Sequence, residues 1–247
     1  MLDFENEAFM EQIEELVERK RWPQLRDLLI QMAPADIAQI LDELPEDRLP
    51  LLYRLLPKEL AAEVFVEMEP DLQELLIKTF SDTELKEVLD ELYVDDTVDI
   101  VEEMPASVVK RILQHADPET RKSVNEILKY PEDSAGSIMT TEFVDLKKDM
   151  TVADAIKRIR RTGTDKETIN ICYVTDPSRH LLGIVSIRTL LLSDEDDIIA
   201  DIMDPNVVSV NTLEAKAAVA QDFNRYGFIA LPVVATENRL VGIVTFY

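Results

Sequence analysis

No glycine occurs before Gly136 in this 247-residue chain, whereas proline recurs through the same stretch at Pro34, Pro45, Pro57, Pro70, Pro105, Pro118 and Pro131. A segment without glycine has few places to turn through left-handed backbone, while proline ends one helix and preorganises the first turn of the next. Asp82 and Asp95 fill the two gaps in that rhythm. Between the breaks apolar residues fall at helical spacing, as in Ile37, Ile40, Leu41, Leu44 and in Leu85, Val88, Leu89, Leu92. The pattern predicts short helices of about ten residues over residues 1–130, wound into an all-α superhelix related to the α-solenoids. Such a fold presents an extended binding surface.

After a junction at residues 131–137 the pattern changes and then repeats. Ile138-Met139-Thr140 returns 64 residues later as Ile202-Met203-Asp204. Each copy continues into an extended run, Phe143–Leu146 and Val207–Val210, then into a helix started by Thr151 or Thr212. Two apolar strands follow, Ile169–Val174 with Leu182–Ser186 and Ile229–Val234 with Leu240–Thr245, and their closing motifs match as Gly183-Ile184-Val185-Ser186 and Gly242-Ile243-Val244-Thr245. The second half is thus expected to hold an α/β unit twice, at 138–201 and 202–247. The second copy ends at Phe246-Tyr247, before its closing helix.

Charge follows the same division. Residues 1–136 carry 34 acids and 14 bases, a net −20, against −4 for the remainder and −24 overall. A surface this acidic repels nucleic acid and anionic membranes and suits cations or basic proteins. Cys172 is the single cysteine and lies in an apolar run, as a small buried hydrophobe would. The first residues, Met1-Leu2-Asp3-Phe4-Glu5, are acidic where a secretory leader is basic, and no window of about 18 apolar residues suits a membrane span. His115 and His180 are isolated, and no Ser-His-acid set or phosphate-cradling glycine loop is present, so no enzyme activity is expected.

Asp95 and Asp99 stand four residues apart, so a helix carries both carboxylates on one side, about one turn apart. Glu102 and Glu103 extend that acidic stripe beside an apolar one of Val94, Val98, Val101 and Met104. Two roles are open for these acids. Near a helix start they offset free N–H groups and the dipole; together they also offer oxygen ligands to a hard cation.

The doubled β-α-β-β-α layout resembles a tandem pair of CBS (cystathionine-β-synthase) domains. The segments Leu55–Val64, Leu89–Pro105 and Tyr130–Thr140, in that order, resemble the MgtE magnesium transporters. The resemblance implies the cytosolic region of such a protein: an N domain at 1–130, a CBS pair that forms a homodimer, and a plug helix and membrane pore beyond. It implies a magnesium sensor in which Mg2+ holds acidic faces together and favours a closed pore. Glu63, Asp95 and Asp99 then match metal-binding positions, with the Ser137 backbone as an additional contact. Ala217, Ala218, Gly227 and Ala235 occupy positions where the family usually has acids, which depletes the CBS side of that network. CBS pairs also bind adenine nucleotides such as ATP. Here Ser186 and Arg188 match such a site, but Thr189 stands where a ribose-binding Asp is usual. Nucleotide sensing and a protein-interaction scaffold are therefore the alternative functions.

Overall fold

A computed structural model describes residues 3–245, with side chains from Met10 onward. Met1-Leu2 and Phe246-Tyr247 lie outside the described residues, and with them part of the leader expectation and the end of the second repeat. The chain forms two compact units. The first runs through Leu92 and takes in Asp99–Arg121; the second holds Tyr93–Val98 and continues from Lys122.

The first unit contains α1 (Asp3–Glu18), α2 (Trp22–Leu29), α3 (Pro34–Glu43), α4 (Leu49–Tyr53), α5 (Lys58–Val66), α6 (Pro70–Thr79), α7 (Asp82–Leu89) and α9 (Ala106–His115), with the second half of α8 (Val94–Glu103) and the start of α10 (Pro118–Ile127). Proline punctuates as the spacing predicts: α3, α6 and α10 begin at one, and Pro57 and Pro105 stand at the N-caps of α5 and α9. None of α3, α5, α6 or α9 has a side-chain N-cap bond, because proline at the entry removes or preorganises what a cap would satisfy. The Pro45 segment differs. Pro45 opens a turn, and the helix that follows is only Leu49–Tyr53, with Pro50 in its first turn, since a proline cannot lie deep inside a longer helix begun at Pro45.

Helices two apart in sequence pack together. α3 lies on α5, α5 on α7 and α7 on α9, while α4 lies on α6. Their apolar faces meet in one core that includes Leu25, Ile37, Leu41, Leu52, Val64, Leu76, Leu85 and Ile112. At its centre Tyr53, Phe65 and Phe80 form an aromatic group with ring centroids 5.4–6.4 Å apart, and the Tyr53 hydroxyl donates to the Ala61 carbonyl at 2.7 Å. A helix entry without proline shows the alternative device. Ser81 and Glu84 form a reciprocal capping box at the start of α7, and Glu84 also receives Arg54 at 2.6 Å.

The second unit contains two three-stranded sheets. The first is β1 (Phe143–Lys147), β2 (Thr168–Thr175) and β3 (Leu181–Ser186); the second is β4 (Val210–Asn211), β5 (Ala230–Ala235) and β6 (Arg239–Thr245). In each, the first pair is parallel and the second antiparallel. α11 (Val152–Thr162) and α12 (Ile187–Leu192) cover the first sheet over a core of Val144, Leu146, Ala155, Ile159, Cys172, Val174 and Leu190. α13 (Ile199–Ile202) precedes the second repeat, whose main helix is α14 (Lys216–Tyr226).

Thr151 caps α11 by accepting from the Asp154 N–H at 3.1 Å. Thr212 does not start α14. Its N–H donates to the Val234 carbonyl at 3.1 Å, a turn follows, and the helix begins at Lys216. The extended run before it is also shorter than expected, with only Val210–Asn211 paired.

The repeats close each other's sheets. Thr140, from the start of the first repeat, exchanges both backbone bonds with Ile243 on β6, at 2.8 and 2.9 Å. Asp204, from the start of the second, does the same with Ile184 on β3, at 2.8 and 2.9 Å. This crossing needs glycine at the neighbouring strand position. A Cβ on Gly242 would stand 2.7 Å from both the Met139 sulfur and the Thr140 carbonyl oxygen, and one on Gly183 would stand 2.8 Å from the Met203 sulfur and 2.9 Å from the Asp204 carbonyl.

Gly242→Ala should therefore cost about 2 kcal/mol of stability or more, read as a lowered unfolding midpoint, because a paired carbonyl cannot retreat without breaking the exchange. A second expectation concerns Glu84. Its bonds from Arg54 and Ser81 lower its pKa from 4.5 to about 2. A carboxylate held below its unfolded value stabilises above about pH 4.5 and loses that contribution as pH falls through about 2. Both partners are partly solvated, so Glu84→Gln should cost about 1 kcal/mol at neutral pH. Urea unfolding should show the gap to the parent closing between pH 4.5 and 2.

Candidate functional site

The first turn of α8 is held in a way its own sequence does not supply. The preceding residue, Tyr93, has no short side-chain oxygen to cap a helix. Instead the Val94 N–H donates to the Glu142 carboxylate at 2.9 Å, across 48 residues of sequence. Glu142 stands just before β1, and the Thr140 hydroxyl, 3.1 Å away, fixes the same carboxylate oxygen. Parallel pairing of β1 with β2 brings Glu167 beside it, with the Glu167 N–H donating to the Glu142 carbonyl at 2.9 Å. The Thr245 hydroxyl lies 3.4 Å from Glu167 Oε1.

Asp95 enters this group from the next position of α8. One of its carboxylate oxygens, Oδ1, is buried and has no hydrogen-bond partner. Burial, and then the charges of Glu167 and Glu142, push its pKa from 3.8 up to about 7. Glu167 is raised as well, by burial first and then by Asp96 and Glu142. The Tyr93 hydroxyl is raised by burial and by the same acids. The consistent physical cause is desolvated negative charge without a neighbouring Lys or Arg among these contributors. Such a group is stabilised by anything positive that reaches it, a proton or a hard cation.

The other expected residues fall as follows. Asp99 lies one turn beyond Asp95 on α8, with its side chain exposed. Glu63 lies on α5 in the first unit and is also exposed. Ser137 is buried, and its hydroxyl and N–H both donate to the Ser134 carbonyl, at 2.9 and 3.1 Å. Ser186 caps α12, accepting from the Thr189 N–H at 3.0 Å and bonding the Thr189 hydroxyl at 2.9 Å, while Arg188 is exposed. Gly227, where an acid is usual in the family, ends α14 in left-handed backbone (φ 65°), with its N–H on the Phe223 carbonyl at 2.8 Å. Neither histidine adds a ligand to the α8 group: His180 pairs with Asp176 at 2.7 Å and His115 stands 3.4 Å from Asp82.

Among the described residues no group of three or more His, Cys, Asp and Glu side chains is arranged to hold a metal ion by itself. The donors are oxygens, few and spread, which fits a cation that keeps most of its own water. Glu142 and Glu167 were not expected from the sequence. A signal exists, because parallel pairing of the first two strands of a βαβ unit must bring their leading residues together. Their approach to α8 has no counterpart in the sequence.

Family comparisons agree with this organisation. The family model described as the MgtE intracellular N domain matches residues 32–133, and the CBS domain model matches 135–195 and 199–247. The magnesium transporter MgtE of Thermus thermophilus is 37% identical over 225 residues, which covers 90% of this chain and 50% of the relative. That of Bacillus subtilis is 30% identical over 220 residues, 89% of this chain and 49% of the relative. The chain thus spans about half the length of the curated relatives it matches. A crystal structure of the cytosolic domain of the Mg2+ channel MgtE in complex with ATP superposes with a TM-score of 0.89 at 37% identity, covering 96% of each chain. The soluble part of a magnesium transporter superposes at 0.84 with 30% identity, over 97% of this chain and 94% of that one. This chain belongs to the MgtE family and comprises its intracellular N domain and CBS-domain pair.

Proposed function

We propose that this chain is the cytosolic magnesium-sensing and gating region of a magnesium transporter, dimeric through its CBS pair and coupled in the whole protein to a plug helix and a membrane pore. The observation that carries the proposal is the buried, unpartnered oxygen of Asp95 beside Glu142 and Glu167. Asp95, Asp99 and Glu63 are the proposed contacts to magnesium, with the Ser137 backbone as a further one. When bound, the ion supplies positive charge that offsets repulsion between acidic surfaces and so favours the closed pore.

The chain's residues set the direction of that response. Without a cation, Asp95 is either a desolvated anion among like charges or takes up a proton near pH 7, and either way the states that keep it buried are penalised. A state that exposes Asp95 to water escapes the penalty. Cation binding that favours the buried state therefore shifts the population toward it. Sparse, hydrated sites bind weakly, and several acting together supply the few kcal/mol that a population shift requires.

Small-angle scattering of the protein should show compaction as magnesium rises to concentrations on the order of millimolar. Asp95→Asn with Asp99→Asn should remove that response while raising the magnesium-free melting temperature by about 2–4 °C, because a buried repulsion has been deleted. Unchanged dimensions up to tens of millimolar would overturn the sensor proposal.

A second proposal, adenine-nucleotide sensing, draws on the ATP complex of the 37%-identical cytosolic domain. Here Ser186 is engaged in capping α12, which leaves the exposed Arg188 as the proposed phosphate contact. Isothermal titration of ATP in magnesium-free buffer should give micromolar affinity that Arg188→Ala weakens. Heat equal to dilution alone would remove nucleotide from the function.

A further inference from the structure

We propose that the first unit carries a small-molecule site, a crevice beside α5 and α7 that takes an organic cation with an apolar, ring-bearing body. It uses no residue of the acidic group at the head of α8 and does not depend on the magnesium proposal.

The crevice measures about 380 Å³ and opens over the aromatic group of the first unit. Its floor is Tyr53, Leu56, Ala61, Phe80 and Val88, all of them buried. The Tyr53 and Phe80 rings have centroids 5.4 Å apart and planes tilted by 43°. Among those five side chains the Tyr53 hydroxyl is the one polar group, and it already donates to the Ala61 carbonyl at 2.7 Å. The floor thus offers apolar and aromatic surface without a free donor. Packed helices leave few voids larger than a water, and a crevice of this size and lining has the character of a ligand pocket.

The lip decides the charge of what enters. Arg54, just after α4, is held by Glu84 of α7 at 2.6 and 3.4 Å. That contact, with the Ser81 cap, lowers the Glu84 pKa to about 2, so this carboxylate is committed. Lys58, the first residue of α5, bonds Glu91 at 2.7 Å. Its pKa is raised by that bond and then by the charges of Glu91, Glu87 and Asp90. Asp90 is itself taken by Lys86 at 2.7 Å. Glu87 is left over. It lines the crevice, is exposed on α7, and makes no ion pair within 4 Å among the described residues.

These pairings favour a cation over an anion. An ammonium or guanidinium can meet Glu87 without breaking any bond at the lip. A carboxylate would have to displace Glu84 from Arg54 or Glu91 from Lys58. The ligand's apolar body covers the floor, which supplies the non-directional part of the attraction.

The test uses the whole chain with methyl-labelled alanine, leucine and valine, near physiological salt, and three probes of similar shape: phenethylammonium, 2-phenylethanol and phenylacetate. Phenethylammonium should shift the Leu56, Ala61 and Val88 methyl signals to saturation, with a Kd on the order of millimolar for a ligand so small. The neutral alcohol should bind about threefold more weakly, since a partly solvated ion pair is lost. Phenylacetate should bind at least about tenfold more weakly than the amine. Glu87→Lys should erase the amine's advantage over phenylacetate while leaving 2-phenylethanol unchanged, which a folding defect would not do. If these methyl signals stay fixed up to tens of millimolar amine, or if shifts spread over the acidic surface and spare the crevice, there is no such site. Equal binding of the three probes by the parent, or an unchanged order in Glu87→Lys, would overturn the assignment of charge and with it the proposal.

Discussion

The crossing of Thr140 over β6 is the contact on which the second unit and its acidic group both depend. Gly242 lets the Met139-Thr140 segment lie close enough to exchange backbone bonds with Ile243. The pairing fixes Thr140, whose hydroxyl bonds the Glu142 carboxylate, and that carboxylate takes the Val94 N–H at the head of α8. Asp95 follows Val94 and inherits its position. A hydrogen atom at Gly242 is thus four contacts away from the buried carboxylate, through backbone, the Thr140 hydroxyl and the Glu142 carboxylate. Two hydrogen bonds on one carboxylate oxygen hold Glu142 in place, so its repulsion with Asp95 is retained in the fold rather than relaxed away.

Charge density is a poor guide to which acids matter. Many of the acids in the first unit are solvated or locally paired, as with Glu74 and Lys78 or Asp90 and Lys86 along one helix, and such pairs are worth little. Asp95 differs through desolvation, not through the number of charges near it in sequence. Its partners come from the leading ends of two strands, brought together by parallel pairing. The same residue thus serves as an ordinary early-helix acid in local sequence and as a strained anion in three dimensions.

What sequence revealed follows from the range of the forces involved. Proline and apolar spacing act within a turn or two of helix, so the starts of α3, α6 and α10 and the caps of α5 and α9 were legible. The doubled motif exposed the α/β pair, because both repeats use a glycine at the same strand position. Legibility failed where a residue's backbone found a distant partner. Thr212 reads as a helix start, yet its N–H is taken by Val234. Pro45 reads as a helix start, yet Pro50 leaves room for only a short helix. Glu142 caps a helix 48 residues upstream, which no local pattern signals. At Thr212 and Glu142 a tertiary bond outweighs a local preference, and at Pro45 a second proline nearby does.

The repeated architecture allows fold and function to be separated within one chain. Positions that face inward agree between the repeats in kind: Ala155 with Val219, Ile159 with Phe223, Gly183 with Gly242. Positions that face outward diverge in part: Lys157 and Arg160 correspond to Gln221 and Asn224, whereas Arg161 keeps its charge as Arg225. Packing constrains volume and polarity on the inside, and a single methylene is felt there. Nothing comparable constrains the outside, where most substitutions are nearly neutral for stability. The loss of charge at the positions of Lys157 and Arg160 therefore cannot be attributed to the needs of the core. The same reasoning applies to Thr140 and Asp204, which make equivalent backbone bonds to the opposite repeat while carrying different side chains. Thr140 uses its hydroxyl to hold Glu142; Asp204 accepts from the Asn206 N–H at 2.9 Å, closing a local turn. Backbone geometry is common to the two repeats, and only one of them turns that geometry toward α8.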